Sequence, residues 1–159
     1  MTSKRKRWPR ATLGPFVDFL ESMHPEGINE DAVGSLIGMS AQSISSMFMK
    51  DNARLSRVEN IVRCYGMELR LIYIPEKPYL EGNNNLYNFP NAGNLYGIVE
   101  HCNRTNRTLN AIASEVGCKR DTIKHALDKG DIMLDILERI TFAVGLRVKW
   151  TFLKIDSHS

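Results

Sequence analysis

The sequence predicts a mainly α-helical protein built from two tandem copies of one helical unit, each closed by a β-strand. The chain matches itself without a gap at an offset of 79 residues, and a fixed repeat of this kind indicates a duplicated supersecondary unit. In both copies the apolar residues change from a helical period to a strand period at the same point. The matching pairs include Gly14/Gly93, Glu21/Glu100, Ala32/Ala111, Gly38/Gly117, Ile44/Ile123, Leu55/Leu134, Ile61/Ile140 and Gly66/Gly145.

Copy one begins with a helix and continues with three more. Thr12 and Pro15 suit the start of a helix, and apolar residues recur at helical spacing over residues 16–23. Residues 24–27 (HPEG) end this helix, because proline and glycine interrupt helical structure. The pattern then predicts a short helix, a turn and two further helices, at residues 30–37, Gly38, 41–49 and 57–65.

The fourth helix carries the same start signal in both copies. Ser56 with Glu59, and Asp135 with Glu138, have the spacing of a capping box, in which a side chain at each end of the first turn pairs with the other's backbone N–H. The sequence therefore predicts that these pairs begin the fourth helices.

Each copy ends in a strand with alternating side chains. In copy one, Leu69, Leu71 and Tyr73 occupy alternate positions after Gly66, and Val148, Trp150 and Phe152 do so after Gly145 in copy two. A lone strand would leave its backbone donors and acceptors unpaired. We therefore expect the two strands to pair antiparallel across a local twofold axis, which makes the chain an intramolecular pseudo-dimer.

These elements predict five segments. They are a basic N-terminal arm at 1–11, a first domain at 12–74, a linker at 75–93, a second domain at 94–155 and a tail at 156–159. The linker contains prolines, glycines and three consecutive asparagines, with no periodicity. At up to roughly 3.3 Å per residue it is long enough to span a small domain.

Composition and charge exclude several classes of protein. No apolar run approaches the roughly 20 residues that cross a bilayer, and the N-terminus lacks the apolar core of a signal peptide. Three cysteines without a CxxC spacing favour a reducing cytoplasm. The four scattered histidines and the lack of a glycine-rich phosphate loop predict no catalytic site, no metal site and no cofactor.

The charge is distributed unevenly. Residues 1–10 contain five lysines and arginines and no acid. Copy one (11–74) has five basic against eight acidic residues, whereas copy two (94–155) has ten against seven. A basic stretch of this kind either is a solvated tail or contacts nucleic acid.

Both copies contain the residues that a helix-turn-helix requires. The motif needs a small residue where the helices approach closest, a glycine at the turn and a β-branched residue in the second helix. These are Gly34, Gly38 and Ile44 in copy one, and Ala113, Gly117 and Ile123 in copy two.

The segment EDAVGSLIGMSAQSISSMFMKD (30–51) resembles the helix-turn-helix of the lambda-repressor/Cro family, called XRE-type in bacteria. LNAIASEVGCKRDTIKHALDKG (109–130) resembles it as well, and the closing strands are similar to those of the antitoxin branch, where a strand joins two subunits. The resemblance implies a protein that controls transcription by binding double-stranded DNA in the cytoplasm of a bacterial host. The protein would be encoded by the bacterium, by a phage or by a mobile element. The third helix of each unit would enter a major groove.

The same resemblance implies which residues face the bases. They are Ala41, Gln42 and Ser46 in copy one, flanked by Ser40 and Ser45, and Arg120, Asp121 and His125 in copy two, flanked by Lys119 and Lys124. Gln42 can pair with adenine and Arg120 with guanine. Asp121 either accepts a hydrogen bond from cytosine or holds Arg120 or Lys124 in place.

Further positions suit contacts with the DNA backbone. Phosphate contacts fix register without reading sequence. The candidates are Ser40, Ser43, Lys50, Asn52, Lys119, Thr122 and Lys129. Arg5 and Arg7 of the arm are expected to enter a minor groove, as arginine-bearing arms do.

Two departures from the family pattern leave a second interpretation open. Many family members begin the first motif helix with glutamine, where this chain has Glu30 and Leu109, and copy one has no cation on its third helix before Lys50. The leading interpretation is a sequence-specific regulator, most simply a repressor, that reads two unlike half-sites. The alternative is an antitoxin-like or adaptor protein that binds a protein partner and contacts DNA mainly through the second domain. The sequence leaves open whether two chains associate.

Overall fold

A computed structural model describes residues 11–76, 87–89 and 92–155. This part of the chain is mainly helical and contains two strands that pair antiparallel, so the predicted fold class is confirmed at that level. The elements in chain order are α1 (Gly14–Met23), α2 (Glu30–Ile37), α3 (Ala41–Lys50), α4 (Leu55–Cys64), β1 (Met67–Pro75), α5 (Tyr96–Arg104), α6 (Leu109–Val116), α7 (Arg120–Lys129), α8 (Leu134–Val144) and β2 (Leu146–Lys154).

The predicted capping boxes of the fourth helices are wrong. Helix α4 begins at Leu55 and α8 begins at Leu134, so Ser56 and Asp135 lie inside the helices and not at their caps. The helices start earlier because Leu55 and Leu134 are buried and form the first residues of the apolar face.

The chain divides into two compact units whose limits differ from those of the repeats. The first unit runs to Glu68 and includes the chain again from Phe152, while the second unit is Leu69–Thr151. Each unit has its own apolar core. The buried side chains include Phe16, Leu20, Ile44, Phe48 and Ile61 in the first unit, and Ile98, Ile112, Ile123, Leu137 and Ile140 in the second.

The two strands pair symmetrically. The N–H of Glu76 donates to the carbonyl of Gly145, and the N–H of Ile155 donates to the carbonyl of Gly66, both at 3.0 Å. In an antiparallel ladder these bonds place Leu71 opposite Trp150. These two residues are also equivalent in the repeat, because they are 79 positions apart. Equivalent residues meet at the middle of a ladder only when a local twofold axis relates the strands.

Strand β1 packs against residues of copy two. The edge of β1 that does not face β2 forms hydrogen bonds with Asn94 and Tyr87. The side chain of Asn94 accepts from the N–H of Leu71 at 2.9 Å and donates to the carbonyl of Leu69 at 3.0 Å. Tyr87, which lies within the predicted linker, forms a backbone bridge with Tyr73. At Gly97 a Cβ would lie 2.6 Å from the Tyr73 ring, so glycine lets α5 approach the strand closely.

The end of β2 packs in the first unit. Phe152 stacks on Phe19 of α1 with ring centroids 4.4 Å apart, and Phe19 also meets the edge of Tyr65 at 5.8 Å. Strand β1 therefore contacts a helix of copy two, and the end of β2 contacts a helix of copy one.

A buried histidine connects α5 with α8 in the second unit. His101 is fully buried, with Nε2 2.9 Å from the carbonyl of Val144 and Nδ1 3.0 Å from the hydroxyl of Tyr87. A carbonyl only accepts, so Nε2 carries the proton and Nδ1 accepts from Tyr87. Both ring nitrogens are thus paired in the neutral form, and burial lowers the pKa of His101 from its usual 6.5.

Stability is expected to fall as the pH drops below the ordinary histidine pKa of 6.5. The unfolded chain takes up a proton in this range that folded His101 resists, so the loss continues down to the lowered pKa of the folded state. Within that window the slope is at most about 1.4 kcal/mol per pH unit. Urea unfolding at several pH values measures it. His101→Gln should flatten the profile and the exposed-site control His125→Ala should not; parallel profiles for wild type and His101→Gln would contradict the assignment.

Candidate nucleic-acid interface

Helices α2 and α3 of the first unit meet at a tight turn. Gly38 ends α2 with a φ of +72°, a left-handed conformation that favours glycine. Ser40 then caps α3, because its Oγ accepts from the N–H of Ser43 at 3.1 Å and donates to the Ser43 hydroxyl. Ser40, predicted to flank the base-facing residues, therefore has a structural role as well as an exposed position.

The two faces of α3 differ in polarity. Ile44, Met47 and Phe48 are buried on the inner face. The predicted contact residues lie outside this stripe: Gln42 and Lys50 are exposed, and Ala41, Ser45 and Ser46 are partly exposed. The structure therefore brings the candidates of copy one onto one accessible surface.

A cation that sequence reasoning missed joins this surface. Arg57 of α4 lines an open polar concavity of about 550 Å³ together with Gln42, Ser43 and Ser46. Its side chain supplies a positive charge beside a helix that has none before Lys50. A comparison of the two copies could have indicated Arg57, because a charged residue stands there where copy two has the apolar Ile136.

Helix α7 of the second unit presents a more strongly charged face. Ile123 is fully buried, whereas the five candidates all lie exposed at its start or along the outer face: Lys119, Arg120, Asp121, Lys124 and His125. The preceding turn again has a left-handed glycine, Gly117, with a φ of +82°.

Two acidic residues pair with the cations of α7. Asp121 lies 3.4 Å from Arg120, and Lys124 is paired instead with Asp128 at 2.7 Å. All four side chains are largely exposed, so these pairs hold their partners only weakly. Of the two roles considered for Asp121, its position beside Arg120 suits orientation of that guanidinium.

Met49 is a second residue that the sequence reasoning passed over. It is 59% exposed, and it follows Gln42 and Ser46 at a spacing that places all three on the outer face of α3. Its counterpart in copy two is Asp128. The outer faces of the two helices therefore differ in apolar as well as in charged content.

Two further predicted contact residues, Arg5 and Arg7, lie outside the described residues. Among the described residues, no group of three or more His, Cys, Asp or Glu side chains is arranged to hold a metal ion, and no helix is long and apolar enough to cross a membrane. Burial raises the pKa of the Cys102 thiol to about 11, which keeps this sulfur protonated at neutral pH.

Comparisons of the chain with protein-family models, with curated proteins and with solved structures find no match.

Proposed function

We propose that this protein is a sequence-specific double-stranded DNA-binding regulator of transcription, most simply a repressor, that acts in the cytoplasm of a bacterial host. Two unlike helix-turn-helix units, α2–α3 and α6–α7, would read two half-sites about 10 bp, or roughly 34 Å, apart. The observation that carries this proposal is the combination of a shared scaffold with unlike outer faces. Gly38 and Gly117 make the same turn, and Ile44 and Ile123 occupy the same buried position.

The symmetric strand pairing supports an intramolecular pseudo-dimer. A DNA-binding homodimer uses a twofold axis to present one helix to each half-site. Here the local axis through Leu71 and Trp150 relates two strands of one chain, so the two half-sites need not be identical.

The outer faces suggest different half-sites. In the first, Gln42 can pair with adenine, Met49 can contact a thymine methyl and Arg57 can reach phosphate. In the second, Arg120 can pair with guanine, with Lys119 and Lys124 on phosphates. The resemblance to lambda-repressor/Cro proteins, with antitoxin-like strands, supports the same assignment, and Arg5 and Arg7 would add minor-groove contacts.

Selection of bound sequences from random duplex DNA tests the proposal. We expect enrichment of two unlike half-sites whose centres are about one helical turn, 10 bp, apart. Failure to enrich any motif at low salt, where phosphate contacts are strongest, would overturn the proposal.

Removing the contact residues of either unit is expected to weaken specific binding about 10–100-fold, because each bidentate base contact contributes about 1–3 kcal/mol. One variant combines Lys119→Ala, Arg120→Ala and Lys124→Ala, and the other combines Gln42→Ala, Ser46→Ala and Arg57→Ala. Fluorescence anisotropy with the selected DNA measures both. A control matched in charge to the α7 variant removes three exposed cations elsewhere, Arg63, Lys149 and Lys154, and should change affinity much less.

The second candidate function is an antitoxin-like or adaptor protein that binds a toxin or co-regulator. The observation that favours it is the outer face of α3, which has no cation of its own before Lys50. Under this function only the α7 variant would weaken DNA binding, and the variant of the first unit would bind as the wild type does. The same titrations therefore separate the two functions.

A further inference from the structure

The second unit has an open groove with an exposed aromatic side chain. Phe142 of α8 is 88% exposed, and it lines a concavity of about 760 Å³ together with Val116 and Ala143. Single exposed apolar residues are ordinary on protein surfaces. This one differs because it adjoins a concavity with a charged rim, which gives a ligand both an apolar contact and fixed charges.

The rim of this groove is acidic. Its charged lining residues are Glu115, Asp135, Glu138 and Arg139, three carboxylates against one guanidinium. Glu115 also approaches Arg107 at 3.3 Å, but both side chains are partly exposed and the pair is weak. An acidic rim around a phenyl ring suits a ligand that combines several cations with an aromatic group. The carboxylates attract the cations, and both arginine and aromatic side chains stack on a phenyl ring.

Copy one does not have the same combination of an aromatic ring and carboxylates at the matching positions. The residue that matches Phe142 is Arg63, and the residues that match Glu115 and Asp135 are Leu36 and Ser56. At this position of the first unit, a cationic ligand would therefore meet the positive charge of Arg63. Three of the lining residues thus differ in chemistry from their matches in copy one.

We propose that this groove binds the basic N-terminal arm of a second copy of the chain. The arm has the required chemistry, because residues 1–10 contain five cations and no acid, with Trp8 among them. Charge complementarity selects this occupant: the arm has a net charge of +5, from five basic residues and no acid, and the groove lining carries two more negative than positive charges. One arm cannot occupy this groove and a DNA minor groove at once, so the two contacts compete. The proposal does not depend on the DNA-binding function.

Sedimentation velocity of the full chain tests this proposal. We expect the wild type to self-associate over about a hundred-fold range of concentration. The association should weaken as salt is raised, because screening reduces attraction between exposed charges. A wild type that stays monomeric at low salt over the whole concentration range would overturn the proposal. This outcome includes an arm that binds the groove of its own chain.

Phe142→Arg, which copies the residue of copy one, should weaken the association at least about ten-fold. Leu36→Arg makes the same kind of change at another exposed apolar site, outside the proposed contact residues, and should leave the association unchanged. Circular dichroism and thermal unfolding establish that both variants are folded. Equal association of Phe142→Arg and the wild type would overturn the proposal.

A charge exchange supplies a second test. Glu115→Lys combined with Glu138→Lys should abolish the association, because the groove then repels the arm. Adding Lys4→Glu, Arg5→Glu, Lys6→Glu and Arg7→Glu to the same chain, which gives the arm a net charge of −3 against +2 in the altered groove, should restore it in part. If the exchanged variant associates no better than the groove variant alone, the arm is not the occupant and the proposal fails.

Discussion

Replacement of Gly34 by alanine is expected to lower the free energy of unfolding by about 2–3 kcal/mol. A Cβ at Gly34 would overlap the carbonyl oxygen of Met39 and would lie 3.1 Å from its carbonyl carbon. Both are backbone atoms, and Met39 is held in place because its N–H donates to the carbonyl of Gly34 at 2.8 Å. The turn between α2 and α3 must therefore shift to admit one methyl group.

Urea unfolding followed by circular dichroism measures this effect. Ser35→Ala, at the next and exposed position of α2, is the matched control and should change stability little. Copy two has Ala113 at the equivalent position, so its helices already accommodate a methyl group there. A Gly34→Ala variant as stable as Ser35→Ala would show that the turn tolerates the shift, contrary to this prediction.

The elements that the sequence predicted well are those specified locally. Gly38 and Gly117 adopt positive φ at the predicted turns, and the helical period places α2 and α3 within one residue of their bounds. Pairing of the two strands was also predictable, because an isolated strand requires a partner. These features follow from residues that are close together in the sequence and from the repeat.

The contacts of β1 with residues 87–97 were not predictable from the same information. Asn94 pairs with β1 across more than twenty positions of the chain, and Tyr87 lies in a stretch without periodicity. Nothing local to either residue distinguishes it from a polar or aromatic residue of a loop. The contact becomes visible only when the fold brings the strand edge to the start of α5.

The candidate interface was predictable where one helix carries all of its residues. The period of α7 alone places Arg120 and Lys124 outside the buried Ile123. The concavity beside α3 also takes Arg57 from the following helix, and spacing within a single helix gives no indication of such a contribution. The capping interpretation of Ser56 failed because it gave a local polar pattern priority over the burial of Leu55.

Replacement of Asn94 by alanine is expected to destabilise the second unit by about 2–5 kcal/mol, because it leaves one buried donor and one buried acceptor without their partner at about 1–3 kcal/mol each. The two groups are the N–H of Leu71 and the carbonyl of Leu69, and both residues are almost fully buried. The loss should appear in urea unfolding and as faster hydrogen exchange of the Leu71 amide, which reports on the strand edge directly.

Asn94→Asp separates the two bonds. A carboxylate can still accept from the N–H of Leu71, but its second oxygen would face the carbonyl oxygen of Leu69, so we expect Asn94→Asp to be no more stable than Asn94→Ala. Asn103→Ala, at an exposed asparagine of α5, the helix that follows Asn94, is the control and should leave the Leu71 exchange rate unchanged. If Asn94→Ala and Asn103→Ala behave alike, the side chain of Asn94 does not stabilise β1, contrary to this prediction. If they differ as expected, a side chain of copy two stabilises the strand of copy one, and that strand depends on copy two for its stability.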